Sequence, residues 1–183
     1  MNQDFEHSQA AGEALAFRCP RWAELPEIEL YMDQLTGYIN QVFAPLTGEE
    51  EGPLLTKAMV NNYVKQRVIG RPTNKKYNKE QLAQLIAICA LKQVFSIPDI
   101  CVLLRTALDA CAPGAAYDRF CQELEDALAA AFREGSDAFS APADHPLRAL
   151  VRRAALAWAG KVYVKKYIQY LWEQHKGQVP YGA

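Results

Sequence analysis

The chain lacks most of the features that mark a specialised class. Its longest stretch without a charged residue, 34–48, is 15 residues long and contains Gly, Pro, Asn and Gln. That is short of the roughly 20 apolar residues of a membrane span. Residues 1–9 have neither a basic stretch nor an apolar run, so no secretory signal is expected and the expected location is the cytoplasm. Histidine is scarce: His7, His145 and His175 are scattered among a terminus, a loop and a helix end, and none stands in a recognisable catalytic pattern with a Ser, Cys or carboxylate. Nucleophile-elbow, phosphate-loop, dinucleotide and zinc-protease motifs are all missing, so no catalytic residue and no enzymatic activity is expected. The five cysteines, Cys19, Cys89, Cys101, Cys111 and Cys121, are an odd number without the close pairing of a zinc site. They are expected to be free thiols that pack as small hydrophobes, with no metal and no cofactor.

What is present belongs to a globular domain. Half of the residues are hydrophobic and 22% are charged, and 183 residues suffice to bury a core without a disulfide or metal staple. The net charge of −1 argues against a nucleic-acid partner until it is divided along the chain. Residues 1–55 hold ten acids against Arg18 and Arg21, a net −8. Residues 56–79 hold Lys57, Lys65, Arg67, Arg71, Lys75, Lys76 and Lys79 with no acid, a net +7, and the remainder balances. The neutrality is a cancellation between segments.

Strand-like alternation is nearly absent, so the expected class is all-α, with room for one small hairpin. The first 20 residues form at most a short helix, expected to fray towards Cys19 and Pro20. After Pro26, Ile28, Tyr31, Met32, Leu35, Ile39, Val42 and Phe43 recur at helical spacing, which reads as an amphipathic helix, with 30–43 as its candidate span, stopped by Pro45. A loop with Glu49, Glu50 and Glu51 follows, solvated rather than catalytic. Thr56 caps the next helix, in which Met59, Val60, Tyr63 and Val64 share an apolar arc while Asn61, Asn62 and Lys65 face away. Gly70, Pro72 and Asn74 signal a turn or short hairpin. Asn78 with Gln81 forms a capping box for a helix whose buried stripe is Leu82, Leu85, Ile86, Cys89 and Val94, and Ser96 starts another that Pro113-Gly114 ends. A helix over 116–134, a Gly/Ser/Pro-rich loop over 135–143 and a long helix over 146–175 complete the chain. That last helix is apolar nearly all round, which requires burial from more than one side, by the same chain or by a second copy. Its stripe of Trp158, Tyr163, Tyr167, Tyr170 and Trp172 reads as core rather than as an effector pocket, and any small-molecule effector is left undefined. Three regions are expected: an N-terminal extension over 1–27, a central unit over 28–110 and a C-terminal helical region over 111–183.

The central unit carries the functional signal. A short helix exposing Asn61, Asn62 and Lys65 suits a DNA major groove, where Asn pairs bidentately with adenine and Lys reaches guanine or phosphate. Concentrated positive charge on the following connection suits phosphates, whose neutralisation releases counterions. The alternative is a solvated basic surface that offsets the acidic N-terminal third.

The residue pattern resembles the winged helix-turn-helix of MerR-type transcription regulators over about 50 residues. Val60, Asn61, Asn62, Tyr63, Val64 and Lys65 stand for that unit's second helix, Ile69 and Pro72 for its exit, and Lys75, Lys76, Tyr77 and Asn78 for the end of the wing. Leu82, Leu85 and Ile88 match the following helix, and Phe95, Ser96, Ile97, Pro98, Asp99 and Ile100 the last corner. There are departures: Asn61 and Asn62 replace a phosphate-touching Arg and Tyr, Arg67 replaces the Gly that closes the helix, Asn74 replaces the wing's first Tyr, and Lys75 replaces a phosphate-binding Arg. Residues 55–65, 75–77 and 91–97 are more similar still to a bacterial family, domain of unknown function 1836. The resemblance implies a MerR-like winged helix-turn-helix with a β-hairpin wing and N- and C-terminal helical extensions. It further implies a regulator that binds double-stranded DNA through Asn61, Asn62 and Lys65, with Lys57, Arg67, Arg71, Lys75, Lys76 and Lys79 near phosphates, and that forms a homodimer through the helix over 146–175. The alternative function is a helical protein-interaction module that keeps the helix-turn-helix core without binding DNA.

Overall fold

A computed structural model of the chain describes residues 3–47, 52–133, 143 and 145–174. Eight helices and one two-stranded sheet follow in order among them: α1 (Gln3–Glu6), α2 (Gln9–Leu15), β1 (Leu30–Tyr31), α3 (Met32–Phe43), α4 (Lys57–Lys65), β2 (Lys76–Tyr77), α5 (Lys79–Leu91), α6 (Ile97–Ala110), α7 (Pro113–Phe132) and α8 (Pro146–Gln174). The starts are written in side chains. The Ser8, Thr56, Asn78 and Ser96 oxygens accept a backbone N–H from the first turns of α2, α4, α5 and α6, satisfying donors that a helix leaves unpaired.

α5 is the central helix. From Gln81 to Leu91 every residue except Gln84 is buried, because Ala83, Ala87 and Ala90 let neighbours approach on all sides. α7 and α8 make the most extensive helix contact, and α2 packs on both. Glu123 of α7, 1% exposed, accepts from Arg148 at 2.7 Å and Arg152 at 3.2 Å of α8. Arg21 grips Glu125 with two hydrogen bonds of 2.8 and 2.7 Å, and the Trp22 backbone N–H donates to Asp118 at 2.6 Å. One continuous hydrophobic core runs through all the helices. No helix among the described residues is long and apolar enough to cross a membrane.

Several expectations change. The chain does not fray at Cys19, which is fully buried with its backbone N–H donating to Glu125 at 2.9 Å, and Phe5 is fully buried too, its ring 4.7–6.0 Å from those of Phe132, Tyr163, Tyr167 and Tyr170. Leu30 and Tyr31 leave the expected helix and pair antiparallel with Tyr77 and Lys76, a strand too short to show a period of two. Pro113 opens α7 rather than merely ending α6, since proline lacks only an N–H that the first turn does not use. Val94 lies in the turn after α5, and Met59 is 38% exposed at the edge of its arc. The loop over 135–142, Glu49, Glu50, Glu51 and His175 lie outside the described residues.

Candidate nucleic-acid interface

α4 is anchored at its N-terminal end. The Asn40 amide of α3 donates to the Leu55 carbonyl and accepts from the Leu55 N–H, each at 2.9 Å, and the Lys92 ammonium donates to the Leu54 carbonyl. Thr56 caps the helix, and Val60 and Tyr63 point into the core. Asn61, Asn62 and Lys65 are exposed on the other side, as the helical period predicts. Nine residues make a helix about 14 Å long, and a major groove about 12 Å wide admits an α-helix of about 10–12 Å diameter.

The chain leaves α4 through two turns that hold cations in costly backbone. Arg67 has φ 58°, the Val68 N–H reaches the Tyr63 carbonyl at 2.9 Å and the Arg67 N–H the Val64 carbonyl at 3.1 Å. These are the two bonds of a Schellman motif, whose left-handed residue is usually glycine. Asn74 and Lys75 have φ 50° and 64° inside a tight turn closed by Thr73 and Lys76 through bonds of 3.0 and 2.9 Å. That is the type I′ pattern, which favours Asn-Gly. Lys75 occupies the glycine position. A side chain in the left-handed region costs roughly 1–2 kcal/mol, and here two exposed bases bear that cost. Arg67→Gly is therefore expected to raise stability by about 0.5–1 kcal/mol while reducing affinity for duplex DNA and lowering the salt slope by about one. Thermal denaturation and anisotropy titration of the same sample read the two effects, and unchanged DNA affinity would remove Arg67 from the interface.

The nine expected contact residues divide into two groups. Asn61, Asn62, Lys65, Arg67, Arg71 and Lys75 are exposed, and none of these four bases has a carboxylate within 4 Å among the described residues. Lys65, Arg67 and Arg71 line one depression of about 660 Å³ together with Gln84. Lys57 is paired with Asp33, Lys79 with Glu27, and the Lys76 ammonium lies 5.0 Å from the Tyr31 ring centroid. Of the other N-terminal acids, Glu13 pairs with Lys166 and Glu24 with Arg18. Among the described residues, the acidic third pairs with the basic segment at Lys57 and Lys79.

Two supporting residues escape sequence reasoning. Asn40 looks like one more polar residue on an amphipathic helix, and only its position opposite Leu55 makes it a clamp. Gln81 is recognisable as the capping-box partner of Asn78, but its amide also donates to the Gly70 and Arg71 carbonyls at 2.9 and 3.2 Å. That second bond set, which no local motif announces, fixes the backbone that carries Arg71. Beneath the face, burial pushes the Tyr63 and Tyr77 phenols above their usual range, so both are neutral packing groups. Among the described residues no three His, Cys, Asp or Glu side chains cluster as metal ligands. Cys19 and Cys121 face each other at 3.0 Å in the core, and their mutual hydrogen bond and burial raise the Cys121 thiol far above its usual range, which makes it a poor nucleophile.

No curated protein sequence and no solved structure matches this chain. A family model described as a domain of unknown function matches residues 20–120, more than half of the chain and the whole span from Trp22 through α6. The chain belongs to that family, DUF1836.

Proposed function

We propose that the protein is a sequence-specific DNA-binding transcription regulator whose residues 28–110 form a MerR-like winged helix-turn-helix. The observation that carries this reading is the exposure of Asn61, Asn62 and Lys65 on α4 together with Arg67, Arg71 and Lys75 on the turns that follow it, with Lys65, Arg67 and Arg71 lining one depression and Arg67 and Lys75 on left-handed backbone. In this reading α4 enters the major groove, Asn61 and Asn62 read base edges, and the bases on the two turns meet phosphates on either side. Lys57, Lys76 and Lys79, held by Asp33, Tyr31 and Glu27, contribute long-range attraction more than direct contacts. The connection between α3 and α4 is far longer than the three- or four-residue turn of a simple helix-turn-helix, and the Asn40 clamp replaces turn length as the device that fixes the second helix. A dimer through α8 is part of the proposal: Leu150, Val164 and Ile168 are about half exposed on the side away from the core.

A titration of labelled duplexes from the protein's own upstream region against scrambled duplexes tests the proposal. The upstream fragment is expected to bind at least 10³-fold more tightly, the low end of specific recognition. Asn61→Ala, which changes no charge, is expected to weaken the specific complex by about 1–3 kcal/mol and to leave random-duplex affinity within about twofold. Equal affinity for all duplexes would refute base reading. The pairing of Lys57 and Lys79 with N-terminal carboxylates favours a second reading, a protein-interaction module with an acidic partner, and absence of any duplex binding at low salt would select it.

A further inference from the structure

α6 is poorly buried for its composition. Ile97, Ile100, Leu103, Leu104, Ala107 and Leu108 share one inward arc, yet only Ile100 is fully buried and Leu108 is 39% exposed. Beneath that arc lies a cavity of about 110 Å³ between α5, α6, α7 and the start of α8. Its lining combines Ala83 and Ala87 of α5, Ala116 of α7 and Ala154 of α8 with larger apolar side chains, among them Phe120 and Trp22. Small methyl groups on three helices leave the gap that larger side chains would fill. Close packing is the rule in protein interiors, and apolar cavities of this order stay dry and accept a small aromatic molecule.

The mouth has its own chemistry. Glu80, in the first turn of α5, is the single charged side chain on the lining, with Gln84 beside it. Glu80 makes no hydrogen bond or ion pair with a described residue, whereas neighbouring Lys79 is committed to Glu27 and to the Trp22 ring at 5.1 Å. Gly114 lets Trp22 lie against α7, since a Cβ there would sit 3.0 Å from the indole Cγ. We propose that this cavity is a binding site for a small organic cation, with a single apolar ring seated among the alanines and an ammonium group at the Glu80 carboxylate. The aromatic stripe of α8 is a different region, occupied by Phe5. The proposal stands whether or not the chain binds DNA.

Methyl and indole NMR on the full chain tests it, with benzylammonium, toluene and phenylacetate as probes of one ring size and three charges. Benzylammonium is expected to saturate shifts at the Ala83, Ala87, Ala107 and Ala116 methyls and the Trp22 indole N–H with Kd of about 0.1–1 mM. Toluene is expected to bind about tenfold more weakly and phenylacetate more weakly again. Glu80→Gln should remove the preference for benzylammonium over toluene, and Ala107→Phe should fill the cavity and abolish binding of all three. Leu108→Trp closes the mouth from a partly exposed position and is expected to do the same if Ala107→Phe does not fold. The proposal is overturned if no probe saturates at about 10 mM, if the filled or closed variants bind as the parent does, or if phenylacetate or toluene equals benzylammonium.

Discussion

Replacing Trp158 by Ala is expected to cost about 3–5 kcal/mol and to lower Tm by about 6–20 °C. Trp158 is fully buried in α8, its ring 5.7 Å from that of Phe17, which in turn stacks 5.7 Å from Phe43 at the end of α3. The three rings connect the C-terminal helices, the N-terminal segment and the helix that clamps α4. Truncation of the fully buried ring at one end of this chain leaves a cavity that Phe17 and the surrounding helices cannot all move to fill. Trp158→Phe provides the contrast. The Trp158 indole N–H meets no acceptor among the described residues, so the smaller ring gives up contact area but no hydrogen bond, and a loss of only about 1 kcal/mol is expected. Denaturant unfolding of the two variants checks the pair. A loss below about 1 kcal/mol for the Ala variant would mean that α8 does not pack as described.

Replacing Arg67, Arg71 and Lys75 together by Ala is expected to weaken duplex binding by about 100- to 500-fold near 0.1 M salt, because each neutralised phosphate contributes close to one released counterion. Stability is expected to stay within about 0.5 kcal/mol of the parent, since all three side chains are exposed and none pairs with a described carboxylate. The combination of large functional loss and unchanged fold separates a binding surface from a structural one. Lys57→Ala with Lys79→Ala is the internal control. These two lysines are paired with Asp33 and Glu27, so the change in binding is expected to be several-fold at most. A control that matched the triple variant would mean that overall charge, and not this surface, carries the attraction.

How much of this could be read before the structure depends on the range of the interaction. Thr56, Asn78 and Ser96 are local signals, three residues from the N–H groups they accept, and all three helix starts were legible. The turn at Asn74 was legible from its residue type, whereas the left-handed backbone at Arg67 was not legible in the sequence, where Arg67 stood only as a departure from the resembling family's pattern. Charge division along the chain located the basic segment. It could not say which carboxylates meet it, because Asp33 and Lys57 are 24 positions apart and Glu27 and Lys79 are 52 apart. The same limit hid the Asn40 clamp, the second role of Gln81 and the burial of Glu123 between two arginines. The burial of Phe5 was not legible because its partners lie in α7 and α8, more than a hundred residues away. Pro113-Gly114 misled for another reason, since the same dipeptide terminates one helix and starts the next. The incomplete burial of α6 was invisible in its sequence, which is as apolar as that of a packed helix. The alanines beneath it create the gap.

The measurement that tests the central claim most directly is the salt dependence of duplex binding by the unmodified protein, followed by fluorescence anisotropy from about 0.05 to 0.3 M monovalent salt. Contacts from Lys65, Arg67, Arg71 and Lys75 predict a log–log slope near −4, falling to about −1 in the Arg67, Arg71 and Lys75 variant. A slope near zero, or no binding at the lowest salt, would contradict a nucleic-acid interface on this face.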